Sequence, residues 1–156
     1  MTLNEIVSKP QVIFDTCIMI DIIVASRPRH SAACRLSKEL KSRGIVIIMP
    51  MHGYFEMISA TKHEVRKSAR LDMFNSAERE SERLDFCLVD IDKEFVIKYS
   101  ATDLPIGMGA ADGIFTAMAK IDQMDLVTED IKHYQHAKNY GVSVYKINEY
   151  LEKLNA

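Results

Sequence analysis

Five short runs of apolar or β-branched residues, separated by longer amphipathic stretches, constrain this chain more than any other feature. They are Val12–Phe14, Ile45–Met49, Phe86–Ile91, Leu126–Thr128 and Val142–Tyr145. A strand that is apolar at every position must be covered on both faces, the condition of a parallel sheet wrapped by helices. Alternation of such runs with helix-length segments is the pattern of an α/β domain. The spacing predicts helices at about Cys17–Ala25, from the Arg27-Pro28-Arg29-His30-Ser31 turn to Gly44, from Pro50 through Glu56, and at about Asp92–Thr102. Further helices are expected at Ala110–Ile121, at Ile131–Tyr140 and at the C-terminus, with the charged stretch Lys62–Leu84 helical in one or two pieces. Gly44 and Gly141 are expected to stop their helices as C′ residues. The expected fold is therefore a three-layer α/β/α sandwich around a central, mainly parallel five-stranded sheet. Residues 1–156 are long enough to bury one core and read as a single domain.

Ligands of such sheets sit at the carboxyl ends of the strands. Asp15, directly after the first strand, and Asp130 in LVTED fall at that pole. Glu56 in MHGYFEMI and Asp112 in GAADGIFTAMAK sit in otherwise apolar helical segments, where a carboxylate is costly unless paired. Each has an ordinary explanation. Asp15 and Asp130 are placed to cap the next helix, Glu56 can point to solvent, and Asp112 suits a helix start favoured by the macrodipole. Thr16 shares the cap region with Asp15, and Thr128 carries a hydroxyl able to hold a water or a carboxylate. Small residues around Asp112 (Gly109, Ala110, Ala111, Gly113) permit close approach of a metal, a phosphate or a neighbouring helix. Taken together, four carboxylates at one pole would repel one another, and a hard divalent cation such as Mg²⁺ or Mn²⁺ is the usual remedy.

Charge is unevenly distributed. Residues 1–70 hold eleven Lys/Arg against six Asp/Glu, and residues 71–156 hold nine against sixteen. A basic half beside an acidic one is compatible with gripping a polyanion while holding a metal, and equally with solvated faces of differing sign. No apolar run is long enough to span a bilayer and the N-terminus has no signal-like pattern, so a cytoplasmic location is expected. Cys17, Cys34 and Cys87 are odd in number and widely spaced, which argues against disulfides and a structural zinc site.

In their order along the chain, IFDTCIMID, YFEM, AADGIFTAMAK and LVTED resemble the motifs of PIN-domain ribonucleases. The chain is most similar to the toxin member of VapBC-type toxin–antitoxin pairs, the VapC-type toxins. The resemblance spans nearly the whole chain, residues 62–105 contributing only their expected elements. It implies a metal-dependent endoribonuclease in which Asp15, Glu56, Asp112 and Asp130 surround one or two Mg²⁺ or Mn²⁺ ions. Thr128 then corresponds to the small hydroxyl residue two positions before the last acid, and Cys17 to a position of no catalytic role. It further implies an RNA substrate, a homodimer, and a small antitoxin whose tail lies across the active-site groove. Arg27, Arg29, Arg35, Lys62, Arg66, Lys67 and Arg70 are then candidates for flanking phosphates.

Three rivals are weaker. Gly107-Met108-Gly109-Ala110-Ala111-Asp112 resembles a dinucleotide loop but places a carboxylate where pyrophosphate would lie. A phosphatase with an aspartyl nucleophile would carry a second acid at position 17, where Cys17 stands. A degenerate PIN-like RNA- or protein-binding scaffold would not need all four acids. His133 and His136 lie on a polar helix without a zinc pattern and are expected to face solvent, and the nine Met residues to fill the core.

Overall fold

The computed structural model describes residues 9–68, 86–100, 103–104 and 106–156. Its elements run β1 (Gln11–Phe14), α1 (Thr16–Ile23), α2 (His30–Ser42), β2 (Val46–Pro50), α3 (Met51–Ser68) and β3 (Phe86–Val89). They continue with α4 (Lys93–Ser100), α5 (Ala110–Ile121), β4 (Asp125–Val127), α6 (Ile131–Asn139), β5 (Val144–Tyr145) and α7 (Ile147–Asn155). The strands form one sheet in the order β3-β2-β1-β4-β5, and every pairing is parallel.

Alternation along the strands divides the core in two. Val12, Phe14, Ile47, Met49 and Val127 pack with residues of α1, α2 and α7, such as Ile18, Leu36 and Leu151. Ile13, Val46, Ile48, Leu126 and Val144 face the other way, onto Phe95 and Tyr99 of α4, Phe115 and Met118 of α5, and Ala137 of α6. This is the expected three-layer α/β/α sandwich. Each large apolar side chain so buried contributes roughly 1.5–3 kcal/mol, which is why both sheet faces must be covered.

Several boundaries move. Pro50 is not in the first turn of a helix: it closes β2, paired with Val89, and α3 starts one residue later. The charged stretch from Lys62 continues α3 as far as Ser68, and its remainder to Leu84 lies outside the described residues. The helix expected over Asp92–Thr102 is observed as Lys93–Ser100, its start capped by the Asp92 carboxylate, which accepts from the Phe95 amide at 2.8 Å. Ala101 and Thr102 lie outside the described residues. Gly44 and Gly141 stop α2 and α6 with φ of 67° and 79°, the left-handed backbone that glycine adopts without a Cβ penalty.

The strand order fixes where a ligand can sit. From β1 the chain steps to β2 and β3 on one side, and β4 and β5 then lie on the other side of β1. The crevice at the carboxyl ends of β1 and β4 is thus the topological switch point, where connections leave in opposite directions.

Candidate active site

Asp15 directly follows β1 and Asp130 stands three positions after the end of β4, so these two acids flank the switch point. Asp112 lies in the first turn of α5, and Glu56 on α3 after β2. All four line one cleft of about 570 Å³, together with Thr16, Cys17, Ile20, Arg27, Ser59 and Ala60. The structure therefore brings together every acid singled out in the sequence.

Their environments differ. Asp15 is buried, 6% exposed, and although it occupies the N-cap position of α1 its side chain makes no capping bond. Its Oδ2 instead accepts from the Thr128 hydroxyl at 2.5 Å and from His133 Nδ1 at 3.0 Å. Burial pushes the Asp15 pKa up, but the hydrogen bond and charge of His133, with hydrogen bonds from Thr128 and Cys17, together outweigh it. The net displacement is below the usual aspartate value. Asp112 goes the other way. Burial raises its pKa, His133 offsets part of the rise, and the charges of Asp15, Asp130 and Glu56 add to it. The four acids thus feel one another.

Asp130 is a true cap: its Oδ1 accepts from the His133 amide at 2.9 Å, while its own amide donates to Thr128 Oγ1 at 3.1 Å. Its neighbour Glu129 turns away and accepts from the Ile147 amide at 2.9 Å, which anchors the start of α7. Glu56 is exposed and held by the Thr16 hydroxyl, which donates to Oε2 at 2.8 Å. That bond requires α3 to run close to α1, and Gly53 permits it. A Cβ at Gly53 would come within 2.8 Å of Phe115 Cζ and 3.1 Å of Thr16 Oγ1.

Three features were not legible beforehand. His133, expected at the surface, has no exposed area and bridges Asp15 and the Thr116 hydroxyl, 3.0 Å from its Nε2. Its burial is compatible with the polar helix because both ring nitrogens are partnered. A signal was present: His133 lies one turn before Ala137, so the two share the buried stripe of α6. The second feature is Asp21, fully buried, which pairs with Arg27 Nε at 2.9 Å and Arg29 Nε at 2.6 Å. A buried charge is tolerable when paired in this way, and the pairing fixes Arg27 at the cleft. The third is the thiol of Cys17. Burial, and then the charge of Asp15, push its pKa up to about 12, so it stays protonated and unreactive.

The donor set decides what the cleft can hold. Every acid offers hard carboxylate oxygen, and the chemistry fits Mg²⁺ or Mn²⁺ rather than a thiolate- or imidazole-loving metal. The arrangement is open: among the described residues, no three His, Cys, Asp or Glu groups close round one point as they stand.

A parallel three-layer sheet with four carboxylates at its switch point defines an α/β domain built to work on a ligand at its strand ends. Residues 12–139 match the family model of the PIN domain, and the chain belongs to the PIN-domain family, whose members are generally nucleases. Among curated proteins none matches the chain significantly. Among solved structures it is similar to a toxin–antitoxin complex from Klebsiella pneumoniae (18% identity, 87% of this chain and 97% of that one, TM-score 0.57). It is also similar to VapBC2 from Rickettsia felis bound to a DNA fragment from its promoter (16%, 87% and 98%, TM-score 0.58). PAE2754 from Pyrobaculum aerophilum has the same fold (16%, 94% and 90%, TM-score 0.62). Among the described residues no helix is long and apolar enough to cross a membrane.

Proposed function

We propose that the chain is a Mg²⁺- or Mn²⁺-dependent endoribonuclease, the toxin of a type II toxin–antitoxin pair, with residues 1–156 as one PIN-like domain acting in the cytoplasm. The observation that carries this reading is the convergence of Asp15, Glu56, Asp112 and Asp130 on one cleft at the switch point of a PIN-family sheet. Asp15 and Asp112 are assigned as direct metal ligands, with Asp130 and Glu56 binding directly or through water. These carboxylates would hold the cation, which when bound would supply a more acidic water and polarisation of the scissile phosphate.

The chain's own side chains do the rest. Thr128 and His133 both hydrogen-bond Asp15 Oδ2, which favours its ionised form. Thr16 steers Glu56 toward the cleft. Arg27, held by Asp21, faces the same cleft and is assigned to a phosphate beside the scissile one, with Arg29 beside it. The fold resemblance to toxin–antitoxin complexes supports an antitoxin partner, and an arginine from that partner would compete with a cation for the four carboxylates. The apolar groove between α4 and α5, lined by Val96, Leu104 and Ile114 among others, offers surface for the second copy of a homodimer.

The test is to incubate purified protein and its Asp112→Asn variant with mixed cellular RNA, in Mg²⁺ or Mn²⁺ and in EDTA. Cleavage that requires both the metal and Asp112 is expected. Metal-independent cleavage, or full activity in Asp112→Asn, would sink the assignment. Failure of both cleavage and metal binding would leave a PIN-like scaffold as the better reading.

A further inference from the structure

The acid cluster has a keystone that is not itself an acid. His133 lies in the first turn of α6 and is completely buried, as is Thr116, its partner on α5. Burying an imidazole is costly unless each nitrogen finds a partner. Here Nδ1 meets Asp15 Oδ2 at 3.0 Å and Nε2 meets Thr116 Oγ1 at 3.0 Å. An ionised carboxylate can only accept, so Nδ1 carries the hydrogen on that side. The Thr116 hydroxyl can donate to Nε2 or accept from it, so it suits the ring in either charge state. The ring is thereby fixed at both ends.

The placement matters because this one residue reaches three of the four acids. It bonds Asp15 through Nδ1, its amide is capped by Asp130, and the same Nδ1 stands 3.8 Å from Asp112 Oδ1. Thr116, one turn beyond Asp112 on α5, ties the ring to the helix that carries that acid. The residue therefore joins the end of β1, the start of α5 and the start of α6, each of which presents one acid.

We propose that His133 is a positioning residue that fixes the orientation of Asp15 and its spacing from Asp112, and so sets the affinity of the cleft for a divalent cation. The inference rests on the reading of the cleft as a cation site. Groups that hydrogen-bond a metal's ligands characteristically raise its affinity, because they hold a ligand in the orientation that binding needs.

The experiment measures Mn²⁺ binding to the full chain by calorimetry and by electron paramagnetic resonance, with RNA cleavage and metal-free thermal melts alongside. Asparagine places its amide near Nδ1 and glutamine near Nε2, so His133→Asn keeps a donor for Asp15 and His133→Gln does not. Mn²⁺ affinity is expected to fall roughly 10–100-fold in His133→Gln and to be largely recovered in His133→Asn. Equal affinities in the two variants, or no loss in folded His133→Gln, overturn the inference while leaving the nuclease reading intact. Should His133→Gln fail to fold, Thr116→Val decides, since it frees the ring without touching an acid. Weaker Mn²⁺ binding in Thr116→Val is expected, and unchanged binding overturns the inference. Absence of Mn²⁺ binding in the unaltered protein overturns both the inference and the reading beneath it.

Discussion

Asp15 and Asp112 both approach Nδ1 of one imidazole, yet their titrations are displaced in opposite directions, and this gives a prediction with a defined sign. Asp15 is held below the ordinary aspartate value, so its ionised form contributes stability that is present above the unfolded pKa. That contribution is lost only as pH falls through the lower folded value. Asp112 is held above the ordinary value, so its ionised form costs stability at neutral pH. The cost vanishes once pH falls below the unfolded value of about 3.9. Metal-free thermal and urea melts should therefore separate two variants. Thr128→Val, which removes the hydroxyl donating to Asp15, should lose about 1.5–3 kcal/mol at pH 7, the range for a hydrogen bond to a charged group. That loss should persist to pH 4 and shrink only below it. Asp112→Asn should melt above the unaltered protein at pH 8, and the difference should close as the solution is acidified. A lower melting temperature for Asp112→Asn at pH 8 would show that the acids do not strain one another.

At the scale of elements, the strands and acids were legible and the supports were not, for a physical reason. Strand identity is local: continuous apolar runs such as IVIIM declare burial on both faces, and β1 to β5 were found within a few residues of their expected places. The acids were visible because they sit where strands end. His133, by contrast, is buried by an acid 118 positions away in sequence, and no local pattern on the polar helix α6 encodes that partner. Asp21 was missed too, although its two arginines stand only six and eight positions on, as was the anchoring role of Glu129. The approach of α3 to α1 is a further element-level feature that can be tested. In an exposed helix Gly→Ala stabilises by about 1 kcal/mol. At Gly53 the new methyl would press on the buried Phe115 ring and on Thr16, an overpacking that typically costs about 1–3 kcal/mol. Packing should win, so Gly53→Ala is expected to be neutral to about 2 kcal/mol destabilised in urea unfolding. Stabilisation by a full helix-propensity increment would mean that the helices are not held in close contact there.

On the scale of the whole molecule, charge bears on how the proposed RNA substrate would be held. Net charge is −2, with a basic first half and an acidic second half, so net charge alone does not draw a polyanion in. On the proposed reading, binding is expected from a few cations fixed beside the cleft. Arg27 lines it and shares the buried Asp21 with Arg29, whose side chain remains 40% exposed. For single-stranded RNA each neutralised phosphate contributes a slope of about −0.7 in log affinity against log salt, so two contacts give about −1.4. The measurement is equilibrium binding of a labelled single-stranded RNA to the Asp112→Asn variant, titrated in potassium chloride. A further Arg27→Gln substitution in that background should halve the slope to about −0.7. Asp21 keeps Arg29 as its partner in this variant, so the buried carboxylate is not left alone. A slope of about −4 or steeper would assign the grip to basic residues spread over the first half of the chain. An unchanged slope in Arg27→Gln would remove Arg27 from the RNA path and leave its pairing with Asp21 as its only role.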